Sequence, residues 1–507
     1  MCDKEAPDNV WLALPGVFFS CYNVSMLFNS LAFLVFLPIA FGLYWIAPEK
    51  YRWIILLLVS YYFYMAASPR YVLLLLCTSL VVWLASLAIG KSPEEERGFK
   101  KGILIATLLI CFGLLMFFKY YNFGAQSIVA VLELFSFHIE PHLLNLLMPV
   151  GISFYTFQST GYLIDVYRGK IKPEDSFARF ALFVSFFPQI IAGPIGRADS
   201  LIPELKCRKP FDYDLAVSGL RMMLWGYFKK LVISDALGKY VDLIYGNVPY
   251  YFGMTFIMVS VMYTFQIYCD FSGYSDIAIG TARLFNIELT QNFKSPYFSK
   301  SVREFWSRWH ISLSTWFRDY VYIPLGGSRK GTVRKNINLM ITMLVSGLWH
   351  GANWTFVLWG GLHGLYQVIE GFFRKETEEK RRAVIILRGL LTFALVNLAW
   401  IFFRADTIGD AFFIVTHLHN GVVLHFLDAW KKMKVDMLIT DVGLCKLFAA
   451  IAVLMVYDFF SLKHDIPKEM TKWKLPLRWV IYVGLTTLII INKLHGGTTQ
   501  QFIYFNF

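Results

Sequence analysis

Apolar segments of near-membrane length follow one another along this chain. The first four lie near residues 30–47, 53–67, 70–90 and 102–118 and hold about 15 to 21 residues each. A helix needs roughly 20 apolar residues to cross a bilayer. The chain is 57% hydrophobic and only 16% charged, whereas soluble proteins are about 45 to 50% apolar and 25% charged. These features predict an all-α polytopic membrane protein.

The apolar pattern continues to the end of the chain, and we count about eleven crossings. Two of the later segments are interrupted by proline and glycine, which predicts re-entrant pieces or cavity walls because freed backbone groups must be satisfied inside protein. For the N-terminal extension 1–25, we expect either that Met26 is the natural start or that the extension is peripheral. The remaining segments are 148–173 and 177–197 (both interrupted), an amphipathic helix at 221–237, 255–285, a hairpin within 337–369, 384–403, 440–460 and 477–492.

The formal net charge of +13 comes mainly from Lys and Arg in short loops between apolar segments. In a soluble protein such an excess would suggest nucleic-acid binding. In a membrane protein it is better explained by topology signals and by contacts with anionic lipid.

Polar chemistry is concentrated between Arg303 and Gly364. The first part, SVREFWSRWHISLSTWFRDYVYIPLGGSRKG, places charges every few residues, and each charge costs about 2.5 to 3.5 kcal/mol at the bilayer centre. It is therefore predicted to be a helix at the membrane interface, with its aromatic rings at headgroup depth.

The second part is predicted to form a membrane hairpin. Residues 337–348 and 354–369 carry no charge, and basic clusters bracket the unit on both sides. By the positive-inside rule both ends face the cytosol. His350 then lies near the turn, roughly 20 Å into the membrane at about 1.5 Å per residue.

His350 is the strongest catalytic candidate. A histidine in the bilayer interior is costly unless it is used, and burial favours the neutral imidazole that a general base requires. The alternative is a structural histidine that ties two helices together. His310 is evenly balanced between a site role and a structural role, and His363 is more simply explained as structural. His417 and His419 lack the further ligands of a metal site, so we predict none.

Other polar residues are possible orienting groups. Gln266 and Asp270 lie within a predicted span, where acids are functional candidates by default, although a structural lock formed by pairing with a nearby arginine is the simpler explanation. No P-loop, G-x-S-x-G or H-E-x-x-H motif occurs in the sequence, which leaves NTPase, α/β-hydrolase and zincin mechanisms without support. The residues alone leave two classes open, an intramembrane enzyme with a histidine base and a transporter with a proton-relay histidine.

Residues 148–373 resemble the membrane-bound O-acyltransferase superfamily, in particular its bacterial branch. The matching pieces are PVGISFYTFQ, FFPQIIAGPI, YCDFSGYSDIAIG, FWSRWHISLSTWFRDYVYIPLGG and SGLWHGANWTFVLWGGLHG, and WIFFRA and FIYFNF later in the chain resemble the alginate-type members. The resemblance implies four parts: the extension 1–25, N-terminal transmembrane helices 26–147, a catalytic core 148–373, and C-terminal transmembrane helices 374–507.

The resemblance also implies a fold of about eleven spanning helices, with re-entrant segments, around a central funnel. The histidine of the family's WHG motif matches His350, and that of the WHxSL motif matches His310. No bound cofactor is implied. The donor would be acetyl-coenzyme A or an acyl carrier protein thioester at the cytosolic face. Groups that would orient donor or acceptor are Arg318, Asp319, Tyr320, Asn353, Asp270 and Gln266.

The implied reaction is O-acetylation of an exported or cell-wall polysaccharide, completed by an extracytoplasmic acyltransferase partner, in the bacterial cytoplasmic membrane. A D-alanyl transferase of the teichoic acid type, which takes its acyl group from a carrier protein, is the alternative within the family.

Overall fold

A computed structural model describes residues 26–373, 381–422, 425–494, 500 and 502–503. The predicted extension 1–25 lies outside these residues, and the four-part division of the chain stays a prediction.

The described residues form helices and connecting loops, with no strand among them. Two helical stretches, Phe228–Ser234 and Arg318–Tyr322, are π-helical, a wider geometry that is frequent at functional sites. The α-helices are α1 Leu31–Ile46, α2 Arg52–Ala67, α3 Val72–Lys91, α4 Arg97–Glu133, α5 Ile152–Tyr167, α6 Phe177–Ser185, α7 Ala198–Lys206, α8 Tyr213–Tyr227, α9 Asp235–Tyr245, α10 Met254–Leu284, α11 Val302–Arg308, α12 Ile311–Phe317, α13 Gly331–His350, α14 Trp354–Phe373, α15 Arg382–Arg404, α16 Ile408–His417, α17 Phe426–Asp436, α18 Asp441–Ser461, α19 Ile466–Glu469 and α20 Leu475–Leu494.

Six helices of the described part are long and apolar enough to cross a membrane. They are α3 with its preceding turn, α4, α10, α15, α18 and α20, and the shorter α1 and α16 are also apolar. The all-helical membrane class is thus confirmed, while the count of about eleven crossings stays a prediction.

α10 lies at the centre of the bundle and is buried along most of its length. It packs against α8 through small residues: a Cβ on Gly219 would lie 2.5 Å from the carbonyl oxygen of Gly280, and one on Gly226 would lie 2.7 Å from that of Gly273. Close approach of helix backbones through small residues is typical of membrane bundles.

The predicted helical hairpin is confirmed as α13 and α14. The two helices run antiparallel and touch where a Cβ on Gly347 would lie 2.3 Å from the Phe356 carbonyl oxygen, and one on Gly360 2.3 Å from that of Met343. Asn353 begins the second helix, since its Oδ1 accepts the Thr355 amide at 3.0 Å. The hairpin places His350 at its turn, as predicted, but neither helix is among the six apolar spans, so its crossing of the bilayer stays a prediction.

The predicted interfacial helix is not a single helix, and protein covers its aromatic rings, while their depth relative to the membrane stays a prediction. The chain forms two short helices, α11 and α12, which break at Trp309 and His310. Trp309, His310 and Leu313 are fully buried, because these rings pack against α5, α10 and α15 instead of lipid. An amphipathic pattern fits a protein interior as well as it fits a membrane surface.

Three further boundaries differ from the sequence prediction. α4 runs to Glu133, well beyond the predicted end at 118. α5 continues through Gly161 without a break. The predicted amphipathic helix at 221–237 is α8 followed by the first π-helix and the start of α9. Its two lysines, Lys229 and Lys230, are 4% and 1% exposed, and each is paired with a carboxylate. The interruption of 177–197 is confirmed, since α6 ends at Ser185.

Candidate functional site

His350 is the last residue of α13 and is 2% exposed. Its Nδ1 lies 2.7 Å from the carbonyl oxygen of Ser346, one turn earlier on the same helix. A carbonyl oxygen only accepts, so Nδ1 must carry the hydrogen of the neutral ring. The lone pair of the imidazole is then on Nε2, and this is the atom that can take a proton.

Aromatic rings surround His350 on several sides. The ring centroids of Trp349, Trp359 and Phe403 lie 5.0, 4.9 and 5.6 Å from its own, all at steep angles. Such a setting holds the ring rigidly and keeps bulk water away from it.

His310 lies beside His350, with the two ring centroids 6.5 Å apart. Its backbone is left-handed, with φ of 44°, at the break between α11 and α12. Strained backbone of this kind costs about 1 to 3 kcal/mol and clusters at functional sites. The structure therefore brings together the two histidines that the sequence pointed to.

A lysine and a tyrosine of α4 hold the end of α13, and sequence reasoning missed both. Lys119 Nζ donates to the carbonyl oxygens of Trp349 at 2.6 Å and His350 at 3.2 Å, and Tyr120 Oη donates to that of Leu348 at 2.8 Å. The last carbonyls of a helix lack intrahelical partners and carry partial negative charge, which a cation stabilises. The signal that could have revealed this role of Lys119 was the presence of a lysine inside a long apolar helix.

A cavity of about 600 Å³ is lined by Asn353 of the α13–α14 turn and by Phe403, whose ring centroid lies 5.6 Å from that of His350. His350 itself does not line it. The cavity lies where α9, α10, α14, α15 and the C-terminal segment meet. The residues around it are Asp242, Tyr263, Gln266, Asn353, Thr355, Phe356, Phe403, Arg404, Ala405, Asp406, Gln500 and Ile503.

The wall of this cavity is rich in hydrogen-bonding groups. Arg404 donates to Asp242 at 2.9 Å, and Gln500 Nε2 donates to the same carboxylate at 2.8 Å. Gln266 is 4% exposed, and its Oε1 has no hydrogen-bond partner among the described residues. Asn353 Nδ2 donates to the Asp406 carbonyl. Two predicted orienting residues, Gln266 and Asn353, thus share this cavity.

Three other predicted orienting residues form a separate cluster that does not line this cavity. Asp319 accepts hydrogen bonds at 2.8 Å from both Arg197 and Arg318. Tyr320 Oη donates to Asp165 at 2.6 Å, and burial and this bond both raise the pKa of the Tyr320 phenol above its ordinary value. Arg318, Asp319 and Tyr320 follow α12 directly and precede the basic segment 329–335.

The sixth predicted orienting residue, Asp270, is in neither place. Its Oδ1 lies 2.6 Å from Lys230 Nζ, and its Oδ2 accepts the Ile503 amide at 2.8 Å. The structure thus gives Asp270 an ion pair inside the protein, as the simpler explanation expected, but the partner is a lysine and not the expected arginine.

His363 is fully buried, and its Nδ1 accepts the indole N–H of Trp306 at 3.2 Å. This bond ties α14 to α11, which agrees with a structural role.

Comparison with known proteins places the site in context. The model of "MBOAT, membrane-bound O-acyltransferase family" matches residues 171–404. A probable alginate O-acetylase AlgI of Pseudomonas putida is 35% identical over 95% of this chain and 100% of its own length. A peptidoglycan O-acetyltransferase of Helicobacter pylori is 32% identical over 95% and 98%. A teichoic acid D-alanyltransferase of Bacillus subtilis is 29% identical over 51% and 69%.

Proposed function

Because this chain belongs to the membrane-bound O-acyltransferase family, we propose that it moves an acetyl group from a cytosolic thioester to a hydroxyl of an exported or cell-wall polysaccharide, with His350 as general base. The chain is a multi-pass membrane O-acetyltransferase. O-acetylases match it over nearly its whole length, whereas the D-alanyltransferase match covers about half, so the D-alanyl alternative fits less well.

The observation that carries the proposal is the state of the His350 ring. The bond from Nδ1 to Ser346 leaves the basic lone pair on Nε2. That nitrogen takes the proton of the acceptor hydroxyl as its oxygen attacks the thioester carbonyl. Collapse of the tetrahedral intermediate breaks the C–S bond, and the proton passes from the imidazolium to the departing thiolate. The ester and the free thiol are formed, and the histidine returns to its neutral form.

The direction of the helices supports access of the two substrates to the site from opposite sides of the membrane. α15 follows a basic segment and ends at Arg404, beside the cavity, while α13 follows the basic segment 329–335 and ends at His350. By the positive-inside rule both helices start in the cytosol, so the cavity faces the extracytoplasmic side. The cluster of Arg197, Arg318 and Asp319 faces the cytosol.

The cavity suits a hydroxylated acceptor. Its volume of about 600 Å³ lies in the range of ligand pockets, about 300 to 1,000 Å³. Amide, carboxylate and guanidinium groups line it together with aromatic rings. Sugars present hydroxyls and apolar ring faces, and this lining offers partners for both.

The cytosolic cluster suits an anionic donor. Arg168 donates to the Asp319 carbonyl, and Arg168 and Arg197 lie over the Tyr320 ring at 5.4 and 4.8 Å. Guanidinium groups bind phosphate well, and coenzyme A and the phosphopantetheine arm of a carrier protein both carry it. We also propose that the protein is located in the bacterial cytoplasmic membrane, and that an extracytoplasmic acyltransferase is its partner.

The test is to incubate the protein in nanodiscs with radiolabelled acetyl-coenzyme A or with a D-alanyl carrier protein, each with and without candidate polysaccharide and candidate partner protein. We expect label transfer and thiol release with the acetyl donor. Transfer from the D-alanyl donor alone would replace the proposed reaction with its alternative, and no transfer from either donor by intact protein would overturn both.

Lys119 should influence the rate without touching substrate. Replacing it with methionine keeps the stem but removes the ammonium from the carbonyls of Trp349 and His350. Because small misplacements of a catalytic group are costly, kcat should fall about tenfold or more while KM changes little. Steady-state kinetics with varied donor would measure both constants.

Tyr120→Phe is the matched control for Lys119→Met. It removes one neutral bond to Leu348 and leaves the ammonium in place, so its kcat should fall less. A Lys119→Met enzyme with native kcat would show that the α4 contacts do not position His350.

A further inference from the structure

We propose that a cavity on the cytosolic rim of the protein binds the phosphate of an anionic phospholipid headgroup. The cavity measures about 140 Å³ and lies between the α1–α2 connection, α6 and α7, away from the histidines. A single water needs only about 10 to 15 Å³ on the same measure. The inference does not depend on the proposed acetyl transfer.

Positive charge dominates this cavity. Five cations face it, from three separate parts of the chain: Lys50, Arg52, Arg179, Lys206 and Arg208. Two carboxylates oppose them, since Glu49 lies on the rim and Glu174 contacts Lys206 at 2.5 Å and Arg179 at 3.8 Å. Five positive charges against two negative ones leave a formal charge of about +3. Lys50 and Arg208 are exposed, and no acidic partner for either is found among the described residues.

Arg52 gives the cavity a fixed inner cation. Its side chain is 15% exposed, it donates to the Lys209 carbonyl at 3.0 Å, and its guanidinium lies 4.6 Å from the Trp45 ring centroid. A guanidinium held in this way is ready to bind phosphate without further ordering.

The surroundings of the cavity suit a lipid headgroup. Trp45 and Trp53 flank it, and tryptophans concentrate at the boundary between membrane and water. The neighbouring surfaces of α1 and α2 expose Leu43, Ile46 and Leu58, which gives acyl chains an apolar wall below the cations. Such an apolar wall would not contribute to the binding of a soluble anion. Basic pockets between helices on the cytoplasmic side are known to bind anionic headgroups.

The cytosolic position follows from the order of the helices. α3 ends at Lys91, where the charged segment 91–101 begins, and α2 runs antiparallel to α3. The start of α2 at Arg52 therefore lies on the same side as Lys91. Anionic lipid in the cytosolic leaflet is thus within reach.

The test uses delipidated full-length protein in detergent and native mass spectrometry. The probes are phosphatidylglycerol, phosphatidylcholine with the same acyl chains, inorganic phosphate and coenzyme A. The variant is Lys50→Gln with Arg208→Gln, since both side chains are exposed and contribute little to folding. The matched control is Arg97→Gln with Lys101→Gln, exposed cations on the same face.

We expect native protein to retain phosphatidylglycerol in preference to phosphatidylcholine. The cavity variant should bind it about tenfold or more weakly, and the control should bind as the native protein does. Lys50→Arg with Arg208→Lys should restore retention. Equal retention of the two lipids, or undiminished binding by the cavity variant, would overturn the proposal. Displacement of the lipid by inorganic phosphate would assign the site to free phosphate, and displacement by coenzyme A alone would assign it to the donor; either would overturn the lipid assignment.

Discussion

Replacing His350 with alanine is expected to lower acetyl transfer by about 10²- to 10⁴-fold, the usual contribution of a positioned general base. The Nε2 atom that accepts the proton would be lost, while the cavity beside Phe403 would remain. The measurement is the release of thiol and the transfer of label in nanodiscs, with each rate divided by the amount of folded protein.

His363→Gln is the matched control for this experiment. His363 is a second fully buried histidine, one helix away, and glutamine can still accept the Trp306 indole hydrogen. Its activity per folded molecule should stay within about threefold of native, as expected for a residue that touches no reacting group. Equal turnover by the native protein and the His350→Ala variant would remove His350 from the catalytic role.

The hairpin and the position of His350 at its turn were predictable because their signals are local. Uncharged runs bracketed by basic clusters indicate two helices and a turn, and counting residues from Ile337 places the histidine near that turn. α13 and α14 have these positions.

The support of His350 was not predictable, since it depends on contacts across the chain. Lys119 lies 231 residues before His350 in sequence, and no periodicity links α4 to the end of α13. The cavity wall combines residues from α9, α10, α15 and the C-terminal segment. Such sites are assembled by the packing of helices and do not appear in any single stretch.

The segment that was expected to expose its rings to the membrane interface shows a second limit. Charges spaced among aromatic residues reveal which face of a helix is apolar, but not whether lipid or protein covers that face. Trp309 and Trp316 are covered by protein, and Gly161 of α5 allows this, because a Cβ there would lie 3.1 Å from the Trp316 indole nitrogen.

Lys230→Met should be among the most destabilising single changes in the protein. Lys230 Nζ lies 2.6 Å from Asp270 and 2.8 Å from Asp235, and the carboxylates are 2% and 4% exposed. Removing one partner of a buried ionic cluster leaves uncompensated charge and typically costs about 3 to 5 kcal/mol. Thermal unfolding in detergent should show a much lower apparent Tm.

Two further variants separate the contribution of the charges to stability from that of side-chain packing. The triple variant Lys230→Met, Asp235→Asn, Asp270→Asn removes the whole cluster and should recover part of the lost stability, because a neutral set leaves no unpaired charge. Lys431→Met breaks an exposed pair with Asp428 and should change stability by less than about 1 kcal/mol. A triple variant less stable than Lys230→Met would show that the charges themselves hold this region together.

Asp270→Asn then decides between the two explanations of Asp270. If the residue serves only the ion pair with Lys230, this variant lowers the apparent Tm, and its acetyl transfer per folded molecule stays near native. A large loss of kcat or a raised KM at unchanged stability would instead make Asp270 an orienting residue. The burial of its carboxylate against Lys230 and the Ile503 amide favours the first result, because both oxygens are already engaged by the protein.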